Sequence, residues 1–173
     1  MKRLILSTLT AAILGASAAA AADNLAIGFA DPLSSLDPQL NNHAGDRSVD
    51  LHFWDLLVEN KWNKLQPGLA VSWKPLDSTT WEFKLREGVK WQDGVPFTAD
   101  DLIYSYTRAR AVPGSVATFA GYLRTIESMS AKDPLTLIVK TRAPNPDLPL
   151  NLASVHIVSK HVGEKSTTED YNS

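Results

Sequence analysis

"TTWEFKLREGVKWQDGVPFTADDLIYSYTRA", Thr79 to Ala109, changes its hydrophobic period partway along, and that change decides the fold. Trp81, Phe83 and Leu85 alternate with Glu82, Lys84 and Arg86, a period of two that buries one strand face and leaves the other in water. Asp93-Gly94 then supplies a tight turn, since glycine adopts positive φ freely. Thr98 and Asp101 stand at capping-box spacing. Ala99, Leu102, Ile103 and Tyr106 give the helix that follows one apolar stripe.

Working outward, "VSWKPLDSTTWEFKLREG" reads as two strands joined through Asp77 and Ser78. Upstream, "NLAIGFA" (Asn24 to Ala30) predicts a short buried strand, and the proline- and asparagine-rich "DPLSSLDPQLNNHAGD" predicts a loop. From Asp46, a candidate N-cap, Val49, Phe53, Leu56 and Leu57 recur at helical spacing and predict a helix to about Val58. Downstream, Pro113-Gly114 marks a turn and "ATFAGYLRTIESM" predicts a broken helical pair. "LTLIVKT" (Leu135 to Thr141) predicts a strand, "APNPDLPLNLAS" a loop with at most a short helix, and "VHIVSKHVG" the start of another small unit. Short strands and helices mixed in this order imply an α/β or α+β body.

The first 22 residues have a different purpose. Lys2 and Arg3, the apolar run from Leu4 to Gly15 and the alanine-rich end before Asp23 form a secretory signal peptide. Its apolar core is shorter than the roughly 20 residues a membrane span needs. The chain holds 17 basic and 19 acidic residues, and loss of the leader removes two of the former, so nothing favours a nucleic-acid partner. There is no cysteine, so an exported protein of this kind is held by its core and not by disulfides. No lipid-attachment site is present either. The C-terminal "HIVSKHVGEKSTTEDYNS" offers no closing strand or helix, and the expectation is of a chain cut short there.

Candidate chemistry is sparse. Asp100 and Asp101 are adjacent, so on a helix they diverge by about 100° and cannot act on one substrate as a glycosidase pair does. They suit a helix N-terminus instead. His43, His52, His156 and His161 lack metal-site spacing, and no nucleophile elbow or phosphate loop occurs. The expectation is no enzyme, no metal and no cofactor. Trp73 and Trp81 read as core, whereas Trp54, Trp62 and Trp91 leave a sugar-stacking surface open.

"LQPGLAVSWKPLDSTTWEFKLREGVKWQDGVPFTADDLIYSYTRA" resembles the central motif of the family 5 extracellular solute-binding proteins, the receptors of peptide- and nickel-type ABC importers. The resemblance rests on Pro67-Gly68-Leu69-Ala70, Ser72-Trp73, Trp81, Phe83, Leu85-Arg86, Gly88-Val89, Trp91, Asp93-Gly94, Pro96 and Ala99-Asp100-Asp101. It extends to "LDPQ" at 36–39, "WDLLVE" and "DPLTLIVKTRAPNPDLPLNLAS".

That resemblance implies a type II periplasmic-binding-protein-like fold, of which this chain would be part of the first lobe plus the extra small domain of the peptide-binding subclass. It divides the chain into a signal peptide (1–22), the first strand and loop of lobe I (23–43), the small α+β domain (44–155) and the start of a return to lobe I (156–173). Family members are two-lobed proteins of about five hundred residues. The implied protein is a monomeric periplasmic receptor that captures di- or oligopeptides and docks on a membrane permease, with an ATPase subunit engaged indirectly. Ligand contacts implied by the family fall on Asn41, Asn42, His43, Ala44, Phe119 and Tyr122. Rival readings are another solute (a nickel complex, an opine, a glycan), a secreted carbohydrate-binding module and a secreted hydrolase.

Overall fold

The computed structural model describes residues 27–30 and 32–173. The expected signal peptide, and Asn24 to Ala26 of the first expected strand, lie outside the described residues. Ile27 to Phe29 are exposed and not in a strand.

The elements run α1 (Ala44–Asp50), β1 (Val58–Lys61), β2 (Lys64–Pro67), β3 (Ala70–Pro75), β4 (Thr80–Leu85), α2 (Ala99–Arg108), α3 (Ala120–Leu123), β5 (Ile126–Asp133), β6 (Thr136–Thr141), α4 (Leu148–Leu152), α5 (Lys160–Gly163) and α6 (Thr168–Tyr171). β1 and β2 form a separate hairpin; the main sheet has the order β3-β4-β6-β5 and is antiparallel throughout. The mixed architecture is therefore of the α+β kind.

The sheet and α2 enclose the core. Phe83, Leu102, Tyr106, Phe119, Leu123, Leu137, Val139, Leu148 and Leu152 are all fully buried in it. The strand pattern of the opening stretch holds at Phe83 and Leu85, with Trp81 half-buried, but one expectation of solvent exposure fails. Glu82 is 7% exposed, because β4 is central and lysines from β3 and β5 lean over its outer face. Lys74 and Lys132 place their ammonium groups 3.7 and 3.6 Å from its carboxylate. Long lysine stems cover surface while their charged heads stay in water.

Gly94 has φ 86° and closes the tight turn between Trp91 and Val95. The capping box is formed: the Thr98 N–H donates to Asp101 Oδ2 at 2.9 Å. The other oxygen of Asp101 accepts from the Lys160 N–H at 2.8 Å, so the cap also ties α2 to α5.

Three local expectations are corrected. α1 starts at Ala44 and stops at Asp50, with His43 at the N-cap position and its inward face made of Asp46 and Asp50. Phe53 is 68% exposed, while Leu56 and Leu57 are buried in extended chain. Apolar spacing misled here because Leu56 pairs with His156 in a β-bridge. Second, only the first half of "ATFAGYLRTIESM" is helical; Ile126 onward joins the sheet edge as β5, where tertiary pairing overrides a helical pattern. Third, the C-terminal stretch does hold helices, α5 and α6, and its end returns to the N-terminal loop, with Asn172 accepting from the Ser35 hydroxyl and the Leu36 N–H at 3.0 and 2.7 Å.

Candidate solute-contact loop

The loop from Ser34 to Asp46 is held by side chains, not by a sheet. Asp37 anchors its start: Arg108 at the end of α2 donates to both carboxylate oxygens at 2.9 and 2.5 Å, and Thr168 adds a third bond at 2.8 Å. Arg108 also lies over the Tyr171 ring, 5.2 Å from its centroid. Burial alone would lower the Arg108 guanidinium, but the hydrogen bond and charge of Asp37 outweigh it and the group is held above its ordinary value. A fully charged, bidentate pair results.

Gln39 extends the anchor. Its side-chain amide donates to the carbonyls of Ser105 and His156 at 3.2 and 2.8 Å, so the loop is tied both to α2 and to the chain after α4. The other end is fixed by Asp46, which accepts from the Ser34 N–H at 2.9 Å and also from the Ser34 hydroxyl.

Between these anchors lie the loop residues expected from the sequence. Asn41 is buried; its carbonyl oxygen accepts from the Val116 N–H at 3.1 Å and its amide donates to the Ser34 hydroxyl at 3.2 Å. It positions the loop and presents little surface. Asn42 is half-buried: its N–H donates to the Ala117 carbonyl at 2.8 Å, and its amide reaches the Tyr122 hydroxyl at 3.4 Å. Arg47 donates to Asn42 Oδ1 at 3.3 Å. His43 and Ala44 are exposed. Asn42, His43, Ala44, Ser34 and Asp46 line an open pocket of about 570 Å³.

The structure therefore brings Asn41, Asn42, His43, Ala44 and Tyr122 together and separates Phe119 from them in role. Phe119 is fully buried and supports Tyr122 from beneath, with ring centroids 6.4 Å apart. Ser34 and Arg47 belong to the same cluster but carried no sequence signal, and Asp46, read from the sequence as an N-cap, instead holds Ser34 from within the first turn of α1.

A second buried pair sits at the other end of α1. Asp50 and His156 are both almost fully buried, with Asp50 Oδ2 4.0 Å from His156 Nδ1. Neither that oxygen nor either ring nitrogen has a hydrogen-bond partner among the described residues. Burial, reinforced by Asp46 and Asp37, pushes Asp50 up to about 7 despite Arg47. Burial, with Arg47, pushes His156 down to about 4. No cluster of three or more potential metal ligands occurs among the described residues. A separate groove is lined by Trp54, Trp91, Gln92, Asp93 and Tyr171; there Trp54 meets Tyr171 at 5.8 Å.

The fold matches solved structures of periplasmic binding proteins. The structure of Haemophilus influenzae OppA in complex with RPPGFSPFR matches with a TM-score of 0.67 and 30% identity, covering 76% of this chain and 29% of that one. MoaA from A. tumefacien R10 in complex with mannopinic acid matches with a TM-score of 0.70 and 27% identity, covering 81% of this chain and 30% of that one. In sequence, the periplasmic oligopeptide-binding protein OppA of Salmonella typhimurium is 35% identical over 135 residues, 71% of this chain and 25% of that protein.

The profile of the bacterial extracellular solute-binding proteins, family 5 Middle, matches residues 64–173. The chain belongs to the bacterial extracellular solute-binding proteins, family 5. It spans a quarter or less of the length of the curated relatives it matches.

Proposed function

We propose that the chain is part of a periplasmic receptor of an ABC importer, and that the 41–46 loop with Tyr122 forms one wall of a cleft that holds a di- or oligopeptide. The observation that carries this reading is the open pocket rimmed by Asn42, His43 and Ala44 on a loop anchored at both ends. A pre-set loop loses little entropy when it takes up a ligand, and an extended peptide can be held by backbone and amide groups much as an added strand is. The receptor binds and releases; ATP hydrolysis belongs to another subunit.

The division of the chain into 23–43, 44–155 and 156–173 is part of the same proposal. It is supported by the bonds from Asn172 and Thr168 to Ser35, Leu36 and Asp37, which join the first and last of these segments. Cleavage after Ala22, a periplasmic location, a monomeric state and docking on a membrane permease are proposed with it. Among the described residues no helix is long and apolar enough to cross a membrane.

A second solute class has specific support, since a neighbour of matching fold holds mannopinic acid. Calorimetry against di- to pentapeptides, opines and oligosaccharides separates the readings. Heat with peptides that weakens in Tyr122→Phe and Asn42→Ala supports the proposal; a response to opines alone moves the solute class, and a response to sugars alone sinks the peptide reading.

A further inference from the structure

We propose that the tip of the β1–β2 hairpin, Trp62 with Lys61 and Lys64, is a contact point for an anionic membrane surface. The inference is independent of solute capture. Three features of the tip are unfavourable within the chain, and two of them become favourable at such a surface.

Trp62 and Asn63 close the hairpin with φ 55° and 59°. This is the left-handed region that two-residue hairpin turns require and that Asn and Gly usually fill. A bulky residue there is strained. The indole is also 94% exposed, so the strain brings no packing in return. Finally, Lys61 and Lys64 are directly opposite one another in the hairpin register, and like charges facing across a strand pair repel. Lys61 meets Glu59, while Lys64 forms no ion pair among the described residues.

An anionic bilayer interface answers the exposed indole and the facing lysines, while the strained turn holds the indole out at the tip. An indole settles at headgroup depth with its apolar body down and its N–H in the polar layer, and the two ammonium groups meet lipid phosphates. A protein pocket is the weaker fit. Protein interfaces surround an anchor residue with contacts that exclude water and bury about 800 Å² per partner, whereas the tip is flanked by Asn60, Lys61, Asn63 and Lys64, all exposed.

The test compares the chain with Trp62→Gly, which suits the turn and removes the indole. The emission difference between the two isolates Trp62 from the other four tryptophans, whatever other segment holds the chain to a bilayer. With vesicles of phosphatidylcholine and phosphatidylglycerol, that difference emission should move to the blue and be quenched by brominated acyl chains. Partitioning should weaken about tenfold in Trp62→Gly, from the apolar area withdrawn, and about fivefold in Lys64→Gln. Trp62→Gly should unfold at higher denaturant concentration than the parent. An unshifted, unquenched difference emission overturns the proposal, as does equal quenching on phosphatidylcholine alone. Capture of the tip by a protein with no vesicle response overturns it too.

Discussion

Removing one member of the Asp50–His156 pair should expose a pH dependence that the intact pair conceals. Asp50 is raised from 3.8 to about 7, so its contribution to stability is present below about pH 4 and is lost as pH rises towards 7. His156 is lowered from 6.5 to about 4, so its contribution is present above 6.5 and is lost as pH falls through 4. Between pH 4 and 6.5 the two slopes oppose each other. The folded pair and the unfolded chain each hold about one proton there, on Asp50 in the fold and on His156 in the coil. The parent should therefore be nearly flat from this source.

Asp50→Asn leaves the histidine alone, and stability should then rise with pH across that window. His156→Gln leaves the carboxyl alone, and stability should fall. A one-proton difference maintained across that window corresponds to roughly 3 kcal/mol at full strength, and about 2 kcal/mol is expected once water and relaxation screen the site. Urea melts of the three proteins at half-unit pH steps provide the measurement. Variants with slopes of the same sign, or both as flat as the parent, would refute the reasoning.

Gly68→Ala should destabilise by about 1–3 kcal/mol, because an added Cβ would lie 2.4 Å from the Leu56 carbonyl oxygen, a backbone atom that cannot swing aside; a chemical melt checks it. Asp101→Ala removes both the cap of α2 and the tie to Lys160, so it should cost more than the roughly 1 kcal/mol of an ordinary cap, and hydrogen exchange should quicken in α5 as well as at the start of α2. Arg108→Met leaves the Asp37 carboxylate buried and unpaired and should cost about 3–5 kcal/mol, with proteolysis opening first in the 34–46 loop.

The fold was most legible where local and tertiary forces agree. The strand at Thr80 to Leu85, the turn at Asp93-Gly94 and the Thr98–Asp101 cap are each found, although Glu82 breaks the expected alternation by being buried. The β1–β2 hairpin was not legible, because Trp62-Asn63 is an unusual occupant of a left-handed turn and the surrounding lysines and asparagines carry no alternation. α1 was misjudged because its inward face is acidic: Asp46 and Asp50 are buried through Ser34 and beside His156, contacts over long sequence distance. The candidate loop was found through family resemblance, not through residue chemistry. Its anchors, Asp37 to Arg108 and Gln39 to His156, span separations that no local pattern records. The exclusion of a carboxylate pair at Asp100 and Asp101 was a matter of helix geometry alone, and the structure gives Asp101 a cap and leaves Asp100 exposed.

The central claim, that the 41–46 loop and Tyr122 contact solute, is tested most directly by backbone and side-chain NMR during titration with di- to pentapeptides up to millimolar concentration. The account predicts saturable shifts at Asn42, His43, Ala44 and Tyr122, with small responses at Asn41 and Phe119 transmitted through packing, and an affinity weaker than micromolar for a single wall of the cleft. Shifts confined instead to the groove of Trp54, Trp91 and Tyr171, or an undisturbed 41–46 loop under saturating peptide, would contradict it.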